Sequence, residues 1–470
     1  MPVLAAVSLS ASAFVVAGAT LAMPAAASTS YQALVAGSDA TANQAAVKVL
    51  NLPGGTSGTI DLGSGTSQAF GVAMNAAGTE AFATESGIEG WGVVPITGPF
   101  TFTAEGAFNG TVGTPIISDG AYGEGFAPAG IVVSGDVVAV LNDYNPSYGV
   151  YLFNYTLSEG VGSTSEPDYV DLPYLPAAIS ANSAGLVAVT GQGVSSSAAD
   201  VTYPDGADSS LCQTNVGDYA PGCVWTFSVA SLTNEPTVTT AELDVGLGPT
   251  SVQCEDTCDA SVYSGIQSIV ISPENGDIYV TDEQNQGVWQ VDSPYTTAAV
   301  VGFDWLRDVV APGAIAINSA GTTLYIADQA GPHAYEVSLT DYKVPYMVDT
   351  QSANLTGTGE TTGTGLLGIG LSPDGSGALV LDSHPSTFGD STSDSLDDIA
   401  TSSFTTGFTP YDPLTLAGGL TVSATSGAVV PASITVPTTG VGLPIWLAAI
   451  LALAGVTALG ASLLRRRALS

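Results

Sequence analysis

One pattern recurs six times in this chain: an apolar alternating run, a polar turn with glycine, and a second apolar run. The copies read VAMNAAGTEAFAT (72–84), IVVSGDVVAVLND (131–143), AISANSAGLVAVTG (178–191), IVISPENGDIYVTD (269–282), IAINSAGTTLYIAD (315–328) and IGLSPDGSGALVLD (369–382). Two alternating runs joined by a tight glycine turn form a β-hairpin. A third apolar run follows each, usually with an aromatic: WGVVPIT (91–97), GVYLFNYT (149–156), CVWTFSV (223–229), GVWQVD (287–292), HAYEVSL (333–339) and, weakest of the six, SFTTGF (403–408). A less regular fourth segment leads to the next copy. One four-stranded sheet cannot bury both of its faces alone. Stacked radially against neighbours it can, and only short edges remain. The expected fold is therefore all-β, a propeller of four-stranded antiparallel blades.

The blade count follows from the ends. Residues 31–39 (YQALVAGSD), 45–52 (AAVKVLNL) and 58–63 (GTIDLG) supply a second, third and fourth strand without a first. Residues 418–425 (GGLTVSAT) supply a first strand without followers. Pairing them completes a seventh blade and fastens the ring. This sets the ectodomain at 28–425.

The flanks lack acidic residues and speak of export. Residues 1–27 hold an apolar run (2–22) and Ala25-Ala26-Ala27 before Ser28, a small-x-small cleavage pattern that reads as a signal peptide. After a short stalk (426–435) comes the pentapeptide Val436-Pro437-Thr438-Thr439-Gly440. Next is an apolar run of 24 residues (441–464), and then Arg465-Arg466-Arg467. As a helix the run extends ~36 Å, enough to span a membrane. The arginines would hold the tail on the cytoplasmic side.

Pentapeptide, span and basic tail together resemble the cell-wall sorting signal of Gram-positive surface proteins, with Val436 in place of the usual Leu. The resemblance implies that a sortase cuts between Thr439 and Gly440 and joins Thr439 to peptidoglycan, so 436–470 is read as the sorting signal. A plain C-terminal membrane anchor is the other reading.

IVISPENGDIYVTDEQNQGVWQVD (269–292) and IAINSAGTTLYIADQAGPHAYEVS (315–338) resemble the repeats of the YVTN-type, lactonase-like propeller family. The likeness extends over about 31–425. It implies a propeller and leaves function open, since this fold hosts lactonases, dehydrogenases, scaffolds and ligand-binding modules.

Charge narrows the partners. Six Lys and Arg stand against 43 Asp and Glu, for a net charge of -37. Outside the arginine tail only Lys48, Arg307 and Lys343 are basic. Nucleic acid is excluded as a ligand, because phosphate binding needs a basic patch. Such a chain attracts cations, and Ca²⁺ or another divalent ion is the one cofactor the composition invites.

Catalytic chemistry has few carriers. The two histidines, His333 and His384, fit no nucleophile–base motif. Four cysteines in an exported chain read as two disulfides with three pairings open. The short-loop pairing Cys212–Cys223 and Cys254–Cys258 is the expectation. Asp143, Asp282, Asp328 and Asp382 recur at the end of the second strand. Such residues either accept backbone hydrogen bonds or ring the channel. Propeller lactonases hold a divalent metal in that channel through acidic and amide side chains. The resemblance offers Asn142, Asp143, Asp282 and Asp328 as candidate ligands. The expected role is a surface-anchored module that binds an extracellular ligand; a metal-dependent hydrolase or lactonase is the alternative.

Overall fold

The computed structural model describes residues 31–39, 44–52, 58–63, 67–87, 90–118, 127–142, 148–155, 168–172, 176–192, 194–195, 213–214, 222–229, 237–243, 266–283, 287–296, 298–300, 311–329, 333–340, 343–349, 365–373, 375, 377–383, 395–400, 410–411 and 415–424. The chain divides into two compact units, Met1–Ala428 and Val429–Ser470, and every described residue belongs to the first. The signal-peptide, stalk, sorting-motif and span segments lie outside the described residues. So do Cys212, Cys254, Cys258, Asp143 and His384. Among the described residues no helix is long and apolar enough to cross a membrane.

The described residues are all-β and form seven antiparallel sheets on one plan, a first, second, third and outer strand side by side. The first sheet joins the two ends of the unit. Its first strand is Thr415–Ala424, and Tyr31–Asp39, Gln44–Leu52 and Gly58–Asp61 follow. Tyr31 faces Ala424 and Val35 faces Leu420 across the ladder. The second sheet is Ser67–Met74, Glu80–Gly87, Gly90–Thr97 and Thr111–Val112, with Ile117–Ser118 also paired to its third strand. The third is Pro128–Ser134, Val137–Asn142, Gly149–Asn154 and Asp168–Asp171. The fourth is Pro176–Ala181, Leu186–Gln192, Gly222–Ser228 and Thr239–Glu242. Ile266–Ile271, Ile278–Asp282, Gly287–Val291 and Ala298–Val300 make the fifth. Pro312–Ile317, Thr323–Asp328, His333–Ser338 and Lys343–Asp349 make the sixth. Gly365–Leu371, Gly377–Ser383, Ser395–Ala400 and Pro410–Tyr411 make the seventh.

Two strands depart from expectation. The seventh sheet's third strand is Ser395–Ala400 and not 403–408. Its sequence, SLDDIA, sets Asp397 where the third, fifth and sixth sheets carry Tyr151, Trp289 and Tyr335, and puts a second aspartate beside it, so hydropathy hides it. The first sheet's opening strand begins at Thr415, three residues early, because a bulge carries the pairing past Gly419 to Thr415. Inside the long insertion of the fourth sheet, Val194–Ser195 and Gln213–Thr214 form a small parallel pair.

The second strands show why the sheets stack. Val137–Asn142 is buried at every position. Val137, Ala139 and Leu141 pack into the core shared with the fourth sheet. Val138 and Val140 pack into the core shared with the second. A strand covered on both faces reads as a continuous apolar run, even though its side chains alternate. Seven apolar clusters link the sheets in a closed series, first to second through sixth to seventh. The last joins Leu379 and Leu381 of the seventh sheet to Tyr31, Val35 and Leu50 of the first. Each fully buried aliphatic or aromatic side chain contributes roughly 1.5–3 kcal/mol. The link between the two chain ends is thus a packed core as well as a ladder.

Candidate functional site

The seven first strands line one cavity of about 400 Å³. The register between first and second strand slips near the same end in every sheet. A bulge bends its strand and raises the twist, so each first strand turns there. Beside the bulges stand small–aliphatic pairs: Gly71-Val72, Gly130-Ile131, Ala178-Ile179, Ala314-Ile315 and Gly368-Ile369, with Phe70, Ala129, Ala177, Ser268 and Leu420 completing the wall. Small residues are needed because the strands converge. A Cβ on Gly71 would stand 2.9 Å from the Ala129 carbonyl oxygen of the next sheet, and one on Gly130 would stand 2.9 Å from Ile179 Cγ2. The aliphatic member of each pair reaches into a core between sheets. The cavity surface is therefore backbone and hydrocarbon. Among the described residues no lining side chain ionises, and Ser268 carries the one side-chain hydroxyl.

The candidate ligand residues stand close behind this wall, at the bulged end. Asn142 is fully buried, and its Oδ1 accepts the Ala127 N–H at 2.7 Å. The same side chain hydrogen-bonds Tyr169, whose hydroxyl titrates far above its ordinary range, chiefly because it is buried. Asp328 does the matching job in the sixth sheet, accepting the Ala311 N–H at 3.0 Å. Asp282 accepts the indole N–H of Trp289 at 3.0 Å. Each of these residues therefore has an oxygen engaged by a protein N–H. Asp382 sits opposite Leu366 at the equivalent register position. Among the described residues no three His, Cys, Asp or Glu side chains come together.

Cys223 is buried in the fourth sheet's third strand and is disulfide-bonded. His333 opens the sixth sheet's third strand, half-buried, with its ring edge-on to Tyr335 at 6.3 Å and its buried Nδ1 without a hydrogen-bond partner.

Sequence reasoning missed the residue just before these acids. Thr84 Oγ1 accepts the Gly71 N–H at 2.8 Å and donates to Ala129 O of the next sheet at 3.2 Å. Thr281 Oγ1 accepts the Ser268 N–H at 3.1 Å and donates to Gly313 O of the next sheet at 2.6 Å. Each hydroxyl fills a gap in its own bulge and fastens the neighbouring strand. The signal was present: Thr84-Glu85 and Thr281-Asp282 occupy the same place in the repeat. Glu85 is thus the second sheet's counterpart of Asp282, concealed by being Glu. Burial raises its carboxyl pKa.

No protein-family model matches the chain, and no curated protein matches it in sequence. Solved structures do. A proposed 6-phosphogluconolactonase from Bacteroides uniformis superposes with a TM-score of 0.50 at 11% identity, covering 84% of this chain and 99% of that one. A protein from Lactobacillus plantarum superposes with a TM-score of 0.51, also at 11% identity, over 84% of this chain and 99% of its own. The fold is a β-propeller. At such identity the likeness is one of fold alone. It agrees with the YVTN-type reading of residues 269–338, and the cavity is the place where the propeller's blades converge.

Proposed function

We propose that the seven sheets are the blades of one closed seven-bladed propeller that serves as a binding module of a Gram-positive cell envelope. In this reading residues 1–27 direct export, 441–464 is a membrane span, and 436–440 is cut by a sortase that joins Thr439 to peptidoglycan. The observation that carries the binding role is the cavity wall. Hydrocarbon and backbone enclose a volume at the small end of the ~300–1,000 Å³ usual for small-molecule sites. Such a wall selects and holds a ligand by shape, burial and backbone hydrogen bonds. The closed series of apolar clusters supports the blade count, since a ring leaves no sheet face bare. The disulfide at Cys223 suits an oxidising compartment, and local pairing with Cys212, alongside Cys254–Cys258, belongs to the same reading.

A second reading is a metal-dependent hydrolase or lactonase with Asn142, Asp143, Asp282 and Asp328 as ligands, a lactonase being the activity in the name of one structure that shares the fold. Metal analysis of the purified ectodomain separates the two. The binding reading expects no stoichiometric divalent ion and no chelator-sensitive lactone hydrolysis. One retained ion per chain, removed by chelator together with hydrolysis, would replace it. Mass spectrometry of wall fragments tests the anchor: Thr439 joined to peptidoglycan supports sorting, and an intact Ser470 terminus rejects it.

A further inference from the structure

The cavity is not uniform around its bulged rim, and the difference points to a class of ligand. On one side the bulge residue is Phe70, half-buried, which lines the cavity. Three sheets further round, the corresponding residue is Gln267, directly beside the lining Ser268. Its Nε2 donates to Glu283 Oε2 at 2.7 Å, and its Oε1 accepts from Gln329 Nε2 at 3.4 Å. All three side chains are half-buried. They form a chain across the fifth and sixth sheets that keeps hydrogen-bonding capacity in reserve. A carboxylate accepts only, and each primary amide has two N–H and one oxygen. The three stand next to the wall, one residue beyond the lining Ser268, and apart from Phe70 and Ser268 the lining residues are aliphatic or glycine.

Resting on the reading of this cavity as a ligand site, we infer that it takes an amphipathic small molecule with a hydrogen-bond-donating, non-anionic head. The apolar body lies in the cavity against Phe70 and the small residues Gly130, Ala178 and Ala314, and the head lies at the bulged end beside Ser268, towards Gln267, Glu283 and Gln329. Three considerations converge. The aliphatic wall rewards an apolar body. Glu283 offers an acceptor to a donor head and repels an anionic one. No cation stands in the described wall to neutralise an anion, and a chain of net charge -37 repels anions before they arrive. An anionic head would also have to shed its hydration in a low-dielectric mouth without a partner.

A matched pair of fluorophores tests this on the intact ectodomain. Dansylamide and 5-dimethylaminonaphthalene-1-sulfonate share one aromatic body and differ in a neutral sulfonamide against an anionic sulfonate. The expected result is saturable, 1:1, blue-shifted binding of dansylamide, with the sulfonate at least tenfold weaker. Ala177→Trp, at an exposed position on the wall, plugs the cavity and removes that binding. Glu283→Gln narrows the gap between the probes at least threefold by strengthening the sulfonate. Equal affinities, both abolished by Ala177→Trp, overturn the ligand class and leave the cavity as a binding site. No saturable binding of either probe that Ala177→Trp removes overturns the inference and the cavity reading together. Unchanged far-ultraviolet circular dichroism and melting temperature in both variants separate these outcomes from misfolding.

Discussion

The third and sixth sheets fasten the start of their first strand in one way, and the fourth sheet does so in another. In the third sheet the start reads Ala127-Pro128-Ala129-Gly130. Its Ala127 N–H is held by Asn142 of the same sheet and its Ala129 carbonyl by Thr84 of the sheet before. In the sixth the start reads Ala311-Pro312-Gly313-Ala314. Asp328 holds the Ala311 N–H, and Thr281 of the preceding sheet holds the Gly313 carbonyl. The fourth sheet begins with a similar Leu175-Pro176-Ala177-Ala178, yet the two gripping positions are filled by Leu141 and Gly191. Leu141 instead packs into the core between the third and fourth sheets. That junction is stitched at the turn end, where the Ser134 hydroxyl donates to Asn182 O at 2.6 Å. At Asn142 and Asp328 the acid or amide at the end of the second strand is thus explained by a backbone donor beside a proline, whereas Asp282 accepts the Trp289 indole N–H instead. The position varies where packing replaces the grip.

The comparison can be broken most severely in the sixth sheet. Thr281→Val with Asp328→Ala strips both grips and orphans buried backbone groups at about 1–3 kcal/mol each. The pair is expected to lose about 4 kcal/mol in denaturant unfolding. A coupling of at least ~0.5 kcal/mol is expected between the two substitutions, because they hold the same three residues. Strict additivity would mean that the grips act independently. Thr190→Val is the contrasting control. Its hydroxyl bonds Cys223 O within its own sheet at 2.8 Å, so a loss of about 1 kcal/mol is expected, as for Ser134→Ala. A loss at Thr190 as large as at Thr281 would erase the distinction. Asp328→Asn sharpens the point, since an amide oxygen still accepts the Ala311 N–H as Asn142 does for Ala127. It should remain within ~1 kcal/mol of the parent.

The smallest expected effect is on pH dependence. Burial raises the carboxyl pKa of Glu80, Glu85, Asp171 and Glu336, and of Asp277, where Asp292 adds repulsion. Burial, with the Glu336 carboxylate opposite, also pushes the Tyr325 phenol up to about 12. A carboxyl raised in the folded state binds more protons there than when unfolded, so stability falls as pH rises through that window. The melting temperature is expected to rise as pH is lowered from 7 towards 5. A fall over that range would contradict the assigned shifts.

Much of the fold could be read from the chain because the second strands are covered on both faces. That gives long apolar runs such as VVAVLN and leaves glycine turns as the punctuation. The sharing of the first sheet between chain ends was legible for a related reason: orphan strands at each end complement one another. Ser395–Ala400 was not legible, since its two aspartates break the hydropathy signal while the ladder to Gly377–Ser383 is kept. At the site, the recurring acids were visible but their partners were not. A backbone N–H leaves no mark in the sequence, and neither does the contact of a threonine hydroxyl with the next sheet. Glu85 escaped notice through a single methylene. The Gln267–Glu283–Gln329 chain escaped because its members lie far apart in sequence and meet only through the bulge.

The account rests on a ring closed by one sheet that takes strands from both ends of the ectodomain. Amide hydrogen exchange followed by mass spectrometry reads this most directly. The account predicts that Thr415–Ala424 and Tyr31–Asp39 exchange as slowly as Ile266–Ile271 in the fifth sheet, and that all three are released together in the cooperative unfolding transition. Loop-like exchange of Thr415–Ala424 while Ile266–Ile271 stays protected would contradict it.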